Sequence, residues 1–511
     1  MSSTFTGLQI GKTGLFAAMS GLQVTGNNIS NVNSNGYTRQ KVDTISLGSY
    51  NGTMRYCTDP SNYKGLGVRI MGTTQYRDPS LDVRNRQEAA KLSEKTAAGV
   101  GLTEIGMVFD DTINTVLDSQ ISDLVTQLQT YANDPSNMVS ENLVKSSAEI
   151  MTQFFNQHAE QLNTAYSDLT MEFNEAVKDV NDILSRVADL NEAIRSAQLG
   201  RYEALELQDE RNLLLDELSQ YMNIEVTPKT VPVGSGYTVE TIEVAFVDEM
   251  GNEHMLVDDN DHNTISSTTD YGDFTISIEG PLNGTDADGN AISDDITETL
   301  FNGAFRGYLD VLNGKGTYAT NGENNYKGIP FYQKSLDTLA NKFATIMNTA
   351  NGANKPLFQA DGGAAEITAE NIQIADSWRN AQEHYLTNTV KDQTNLTDNT
   401  NILHMISQLN GDQVFETGNG SSFTGSFQDY LTNICTTLGT QIESNDTLAN
   451  TYSINLDDVD YARESISGVS LDEEAVNMIQ YNYALTASSR YLTTVDEALN
   501  QLISSTGMVG R

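Results

Sequence analysis

Five histidines are scattered along this chain of 511, and two of them follow a glutamate: Glu253-His254 and Glu383-His384. An inverted zinc motif, HxxEH, needs a further histidine three places before each glutamate, where Met250 and Asn380 stand instead. Both are therefore read as surface histidines beside acids. The run Asp286-Ala287-Asp288-Gly289-Asn290 has the alternating oxygens of a calcium loop. It lacks glycine at the sixth place (Ala291) and glutamate at the twelfth (Thr297), so it reads as an acidic β-turn with at most weak calcium binding. Cys57 and Cys435 are too distant for a metal knuckle and read as isolated, partly buried thiols. Neither a GxSxG elbow, a phosphate-cradling glycine loop nor a local Cys–His pair occurs. No catalysis, cofactor or metal is expected.

The elements that would have to carry a function are apolar ladders. Leu8, Leu15, Leu22 and Ile29 repeat every seven residues. Near the other terminus Leu471, Met478, Leu485, Leu492 and Leu499 do the same, with Tyr481, Val495 and Leu502 at the intervening offset. A seven-residue repeat sets a narrow seam that is stable only against another helix, which points to assembly. The net charge of −40 repels phosphate backbones and anionic membranes, so neither nucleic-acid binding nor membrane attachment is expected. An apolar fraction of 38% suits thin helical rods better than one compact core. No run reaches the ~18 apolar residues of a membrane span. The first twenty residues carry Lys12 alone and are interrupted by Gly7, Gly11 and Gly14, unlike a cleavable signal. Composition by itself would thus place the chain in the cytoplasm.

Along the chain, a first helix over 5–33 ends in an asparagine-rich tail and an Asn35-Gly36 turn. Extended or hairpin structure follows over 40–90, with helix returning from about 80. Leu117, Ile121, Leu124, Leu128 and Tyr131 mark one helix. A longer one carries two rows, Phe155-Leu162-Leu169-Ala176-Ile183-Leu190 and Tyr166-Phe173-Val180-Val187-Ile194, and continues past a break at Gly200. Between 231 and 300 sixteen acids and no Lys or Arg accompany strand-like alternation at Tyr237–Val244 and Phe274–Ile278. Helix is predicted to resume near 331, irregular sequence to fill 357–425 apart from a helical patch at 402–409, and a last helical region to run from Phe427 to about Ile503 with a break around 450. The fold class is mainly α with an inserted all-β domain, elongated and multi-domain, with paired N- and C-terminal helices and a coiled-coil-like helical rod layer. The predicted domains are a terminal helical polymerisation region (1–60 and 465–511), a helical rod domain (61–225 and 331–464) and an acidic β-rich outer domain (226–330).

Two stretches carry a family resemblance. Gly26–Tyr37, with Asn27, Asn28, Asn31, Asn33, Gly36 and Tyr37, resembles the N-terminal signature of bacterial flagellar rod, hook and hook-associated proteins. Its continuation Thr38-Arg39-Gln40 is similar to the hook-associated protein 1 family, the hook–filament junction subunits. Ser467-Gly468-Val469-Ser470-Leu471-Asp472-Glu473-Glu474-Ala475 resembles that family's SGVxLDEEA motif. Gln208–Ser219, Ile329–Asn348 and Gly425–Gly439 add similarity, and the β insert has none.

The resemblance implies a structural, non-enzymatic subunit of the extracellular flagellum at the hook–filament junction. It would be secreted unfolded by the flagellar type III export apparatus, with an export chaperone on its C-terminal helix. Its partners would be itself, in a ring, the hook protein and a neighbouring hook-associated protein. Terminal residues Leu8 to Gln40 and Leu471 to Leu502 named above, with Glu474, would form the assembly interface, mobile in the free monomer. The alternatives are another axial subunit of hook, rod or filament type, a secreted adhesin or metal-binding module carried by the insert, and a cytosolic coiled-coil scaffold.

Overall fold

The computed structural model describes residues 6–47, 65, 67–234, 237–270, 272–284, 292–320, 323–352, 354–387 and 398–506. Cys57 and the calcium-like run 286–291 lie outside them. The chain is mainly helical with small antiparallel sheets. Helix α1 (Thr6–Ser30) leads through a turn into the ribbon β1 (Gln40–Ser46) and β2 (Val68–Gln75). Four helices follow: α2 (Pro79–Val108), α3 (Asp111–Asn133), α4 (Met138–Leu199) and α5 (Leu205–Tyr221). Their starts are written locally. Asp78, with Pro79 behind it, caps α2, Asp110 caps α3 and Asn137 caps α4, each side chain accepting from the first free amides.

The 62 residues of α4 span about 93 Å. Both predicted rows turn inward, with Phe155, Leu162, Leu169, Phe173, Val180, Ile183, Val187 and Ile194 buried, and Tyr166 and Leu190 half-buried at the edges. Against this helix lie two sheets, β3 (Ile224–Gly234), β4 (Tyr237–Val247), β5 (Glu253–Asp258) and β6 (Asp261–His262) in one, β7 (Thr264–Asp270), β8 (Asp273–Glu279) and β9 (Ser293–Asp295) in the other. Alternation decides their inner face: Ile242, Val244 and Phe246 on β4, and Phe274, Ile276 and Ile278 on β8, are buried. The Asn181 amide of α4 pairs with both backbone groups of Ile265, at 2.8 and 2.7 Å. The insert thus shares its core with the helices, Phe173 of α4 meeting Phe274 and Phe305 edge-on.

Helix resumes earlier than the sequence predicts, at α6 (Ala304–Asn313), before α7 (Ile329–Asn351). Phe305, Leu309 and Leu312 form one buried face of this short helix, and Gly307 lets it lie directly on the α2 backbone. The stretch 357–425 also holds more than the helical patch α9 (Thr400–Asn410). The strands β10 (Phe358–Ala360) and β11 (Ile372–Ile374) pair, followed by the turn α8 (Asp376–Arg379). The hairpin β12 (Gln413–Gly418) and β13 (Ser421–Gly425) turns at Asn419-Gly420, both at positive φ, as a two-residue hairpin turn requires.

Helix α10 (Phe427–Ser467), opened by a Ser426–Asp429 capping box, runs unbroken through 450. Its buried Asn445 and Val459 hold it along α2, the Asn445 amide donating to Lys95 O at 2.8 Å. The break falls instead at Gly468, ahead of α11 (Leu471–Thr506).

The two histidines are not simple surface groups. His254 is half-buried, its Nδ1 on Asp294 and its Nε2 3.6 Å from Asp248. His384 Nδ1 lies 2.7 Å from buried Glu141, which also accepts from the amides of Tyr385 and Leu386. Pleating turns Glu253 outward from His254, so the neighbouring acid is not the partner. Cys435 is half-buried on α10, 3.6 Å from the Asn114 amide. Among the described residues no group of three or more His, Cys, Asp or Glu is placed to hold a metal, and no helix is long and apolar enough to cross a membrane.

Candidate functional site

Helices α1 and α11 lie antiparallel, and small residues form the contact. Gly11, Ala18, Gly21, Thr25 and Asn28 are the buried positions among the described side chains of α1, spaced by seven, three, four and three residues. A Cβ built on Gly21 would stand 2.5 Å from the Tyr481 ring, and one on Gly11 2.8 Å from Leu492 Cγ. At these two glycines the α11 side chains lie directly on the α1 backbone, and a larger residue would have to displace them. The predicted ladder Leu8, Leu15, Leu22 and Ile29 runs beside this row, one residue after Gly21 and Asn28 and four after Gly11, Ala18 and Thr25, and is half-buried. Tyr481, Leu485, Leu492, Val495 and Leu499 of α11 are half-buried against α1, whereas Leu471, Met478 and Leu502 are exposed.

The asparagine tail has unequal members. Asn28 is buried, donating to Gln40 O at 2.9 Å and accepting from Gln40 N at 3.0 Å and from the Tyr37 hydroxyl at 2.8 Å. It pairs with Gln40 as a neighbouring strand would, pinning residues 37–40 to the end of α1. Asn31 donates to Asn27, Asn27 reaches Glu206 at 3.3 Å, and Asn33 is exposed. Gly36, at φ +75°, supplies the left-handed turn that brings Tyr37 back.

Residues 38–40 form a strap between α5 and the α10–α11 break. The Thr38 amide donates to Asp209 at 3.1 Å, and Gln40 Nε2 to Glu206 at 3.3 Å. The Arg39 amide donates to Ser467 O at 2.8 Å. Its guanidinium spans Glu473 at 2.6 Å and Glu474 at 2.9 Å, and lies over the Tyr76 ring. Burial pulls this guanidinium down, and the two glutamates outweigh it, leaving Arg39 above its ordinary value. Burial pushes the Asp209 carboxyl up despite the Thr38 bond. Burial, then Glu206, Asp209 and Glu474, push the Tyr37 phenol up.

Below the strap, Arg463 bridges Asp216 at 2.6 Å and Asp82 at 3.2 Å, while Arg86 holds Asp216 at 2.7 Å. A cleft of about 840 Å3 lies between strap and α10. The Arg39-Gln40 continuation, the LDEEA motif and the α5 segment meet here. Sequence reasoning missed Gly11, Gly21, Glu206, Asp209 and Glu473. Only the glycines left a signal, Gly7, Gly14 and Gly21 repeating every seven residues one place before the ladder, with Gly11 between.

Residues 102–365 match the family model described as the flagellar hook-associated protein FlgK helical domain, and residues 463–505 match the flagellar basal body rod FlgEFG protein C-terminal model. Flagellar hook-associated protein 1 of Bacillus subtilis (strain 168) is 27% identical over 534 aligned positions covering both chains entirely. That of Escherichia coli (strain K12) is 24% identical, over 69% of this chain and 58% of its own. The flagellar hook junction protein FlgK from Burkholderia pseudomallei aligns with 54% of this chain and 46% of its own, at 20% identity and a TM-score of 0.40. A helical-domain model spanning just over half the residues, beside a full-length relative, makes this chain a member of the flagellar hook-associated protein 1 (FlgK) family, structural components of the bacterial flagellum.

Proposed function

We propose that this chain forms the hook–filament junction, copies packing side by side through α1 and α11. One observation carries the reading. Helices of 25 and 36 residues contribute between them a single fully buried apolar side chain, Ala18. Phe16 and Met19 of α1, and Val476, Ile479 and Tyr483 of α11, face away from the mutual seam and are exposed. Helices this poorly covered are marginal in water unless neighbours bury what they leave out. Assembly supplies those neighbours, the hook protein on one side and another hook-associated protein on the other. During type III export an export chaperone would cover α11.

In this reading 1–60 with 465–511 polymerise, 61–225 with 331–464 bear load, and the acidic 226–330 faces outward. The role is structural, at the extracellular flagellum. Fractionation tests it: the chain is expected in sheared flagella, and its deletion should leave hooks without filaments. Finding it only in cytosol would overturn the reading.

A further inference from the structure

Charge is divided unevenly along the chain. Residues 1–100 carry eleven Lys and Arg against six Asp and Glu, a net +5, whereas residues 101–511 carry −45. Bringing copies together sets strongly like-charged bodies side by side, and the N-terminal segment offers the opposite sign.

That segment is exposed at a defined place. The β1–β2 ribbon packs on α1, Gly67 lying close over Thr13. Outward, Ile45 pairs with Arg69, and Met71 follows two residues on. Ile45 is 51% and Met71 56% exposed, and an Arg69 nitrogen lies 3.4 Å from Met71 Sδ. The nearby ion pairs, Lys41–Asp43 and Arg77–Asp82, leave Arg69 without a carboxylate among the described residues. A complementary stripe runs along α10 opposite its buried Val459. Ile454 is 62% and Tyr461 78% exposed, with Asp458 between them and Asp457 beside it, both acids exposed and outside every ion pair of the described residues.

We infer that the β1–β2 ribbon of one copy docks on the α10 stripe of a neighbouring copy. Ile45 and Met71 cover Ile454 and Tyr461, and Arg69 enters between Asp457 and Asp458. Two different patches on one chain make a head-to-tail contact, the kind that propagates around an axis. An arginine fork facing two carboxylates fixes its register. The inference rests on the junction reading and adds to it a surface and a sign of charge.

The test uses the full chain in flagellated cells. A photo-crosslinking residue at position 71 should join a second copy within residues 450–465 in intact flagella. Arg69→Glu should cut the amount retained in sheared flagella about tenfold, the effect of losing one well-formed charged contact. Asp457→Arg with Asp458→Arg should do the same, and the three changes together should restore retention. Should Arg69→Glu fold poorly, the α10 variants carry the test from the other side. Wild-type retention of Arg69→Glu, no rescue in the combined variant, or a crosslink to a different protein overturns this contact and leaves the junction reading standing. Absence of the wild-type chain from flagella removes both.

Discussion

Helix α4 buries 23 of its 62 residues, whereas among the described side chains of the 36-residue α11 only Glu474 is buried. The two regions solve helix packing in opposite ways. Around α4, large side chains from α3, both sheets, α6 and α7 interlock into one core, with Phe173, Phe305, Tyr332 and Phe343 fully covered. Between α1 and α11 the side chains of α11 lie on glycines of α1, and a polar clasp at Arg39 closes one end. The first kind of packing stands alone. The second gives little apolar burial, so it opens locally at low cost and gains most from added neighbours.

The largest expected effect belongs to the body. Phe173→Ala removes a ring with 0% exposure and should cost about 3–5 kcal/mol of global stability in a denaturant titration. Amide exchange in α11 should not change. If α11 loosens equally, the regions are one cooperative unit and the contrast fails. Next comes the clasp. Arg39→Ala strands Glu474, whose side chain is 2% exposed, and should weaken the terminal pair by about 3 kcal/mol. Native-state exchange should show the loss in α11 and not in α4.

Smaller, and aimed at the seam itself, is Gly21→Val. The new side chain meets the Tyr481 ring and should cost about 1–3 kcal/mol locally, recovered in part by Tyr481→Ala. Leu22→Ala, on the predicted ladder one residue away, should cost less. Should Leu22→Ala cost more, the leucines and not the glycines form the seam.

What could be read in advance follows from period and distance. The rows of α3 and α4 repeat over many turns, so their buried faces were legible from spacing. Helix α6 has ten residues, and the β12–β13 strands are shorter still; such pieces are set by what they pack on. Counting only apolar residues placed the α1 seam on its leucines, because a glycine contact shows no hydrophobicity. The clasp was out of reach for another reason. Arg39 and Glu474 lie 435 residues apart, and among 69 acids nothing local singles out a partner. Both motifs were visible as a resemblance, and the pairing of the terminal helices was expected; the residue contacts between the motifs were not.

The smallest expected effect separates the regions by pH. Glu94 on α2 and Asp310 on α6 are buried within the body, and burial pushes both carboxyls above their ordinary values. An acid whose folded pKa is raised contributes stability below its unfolded pKa and loses it as pH rises through the folded one. Lowering pH from 7 toward 5 should therefore raise the melting temperature of the body slightly, helped by easing of the −40 self-repulsion. Arg39, also raised, keeps its charge throughout that window, so its side of the clasp should not respond. Asp310→Asn keeps a group able to accept from Arg306 and Asn324 while removing the buried charge. Calorimetry of both proteins from pH 7 to 5 should show a shallower rise in the variant. A melting temperature that falls on acidification would mean that paired acids, not buried strained ones, govern the body, and the two regions would then share one electrostatic logic.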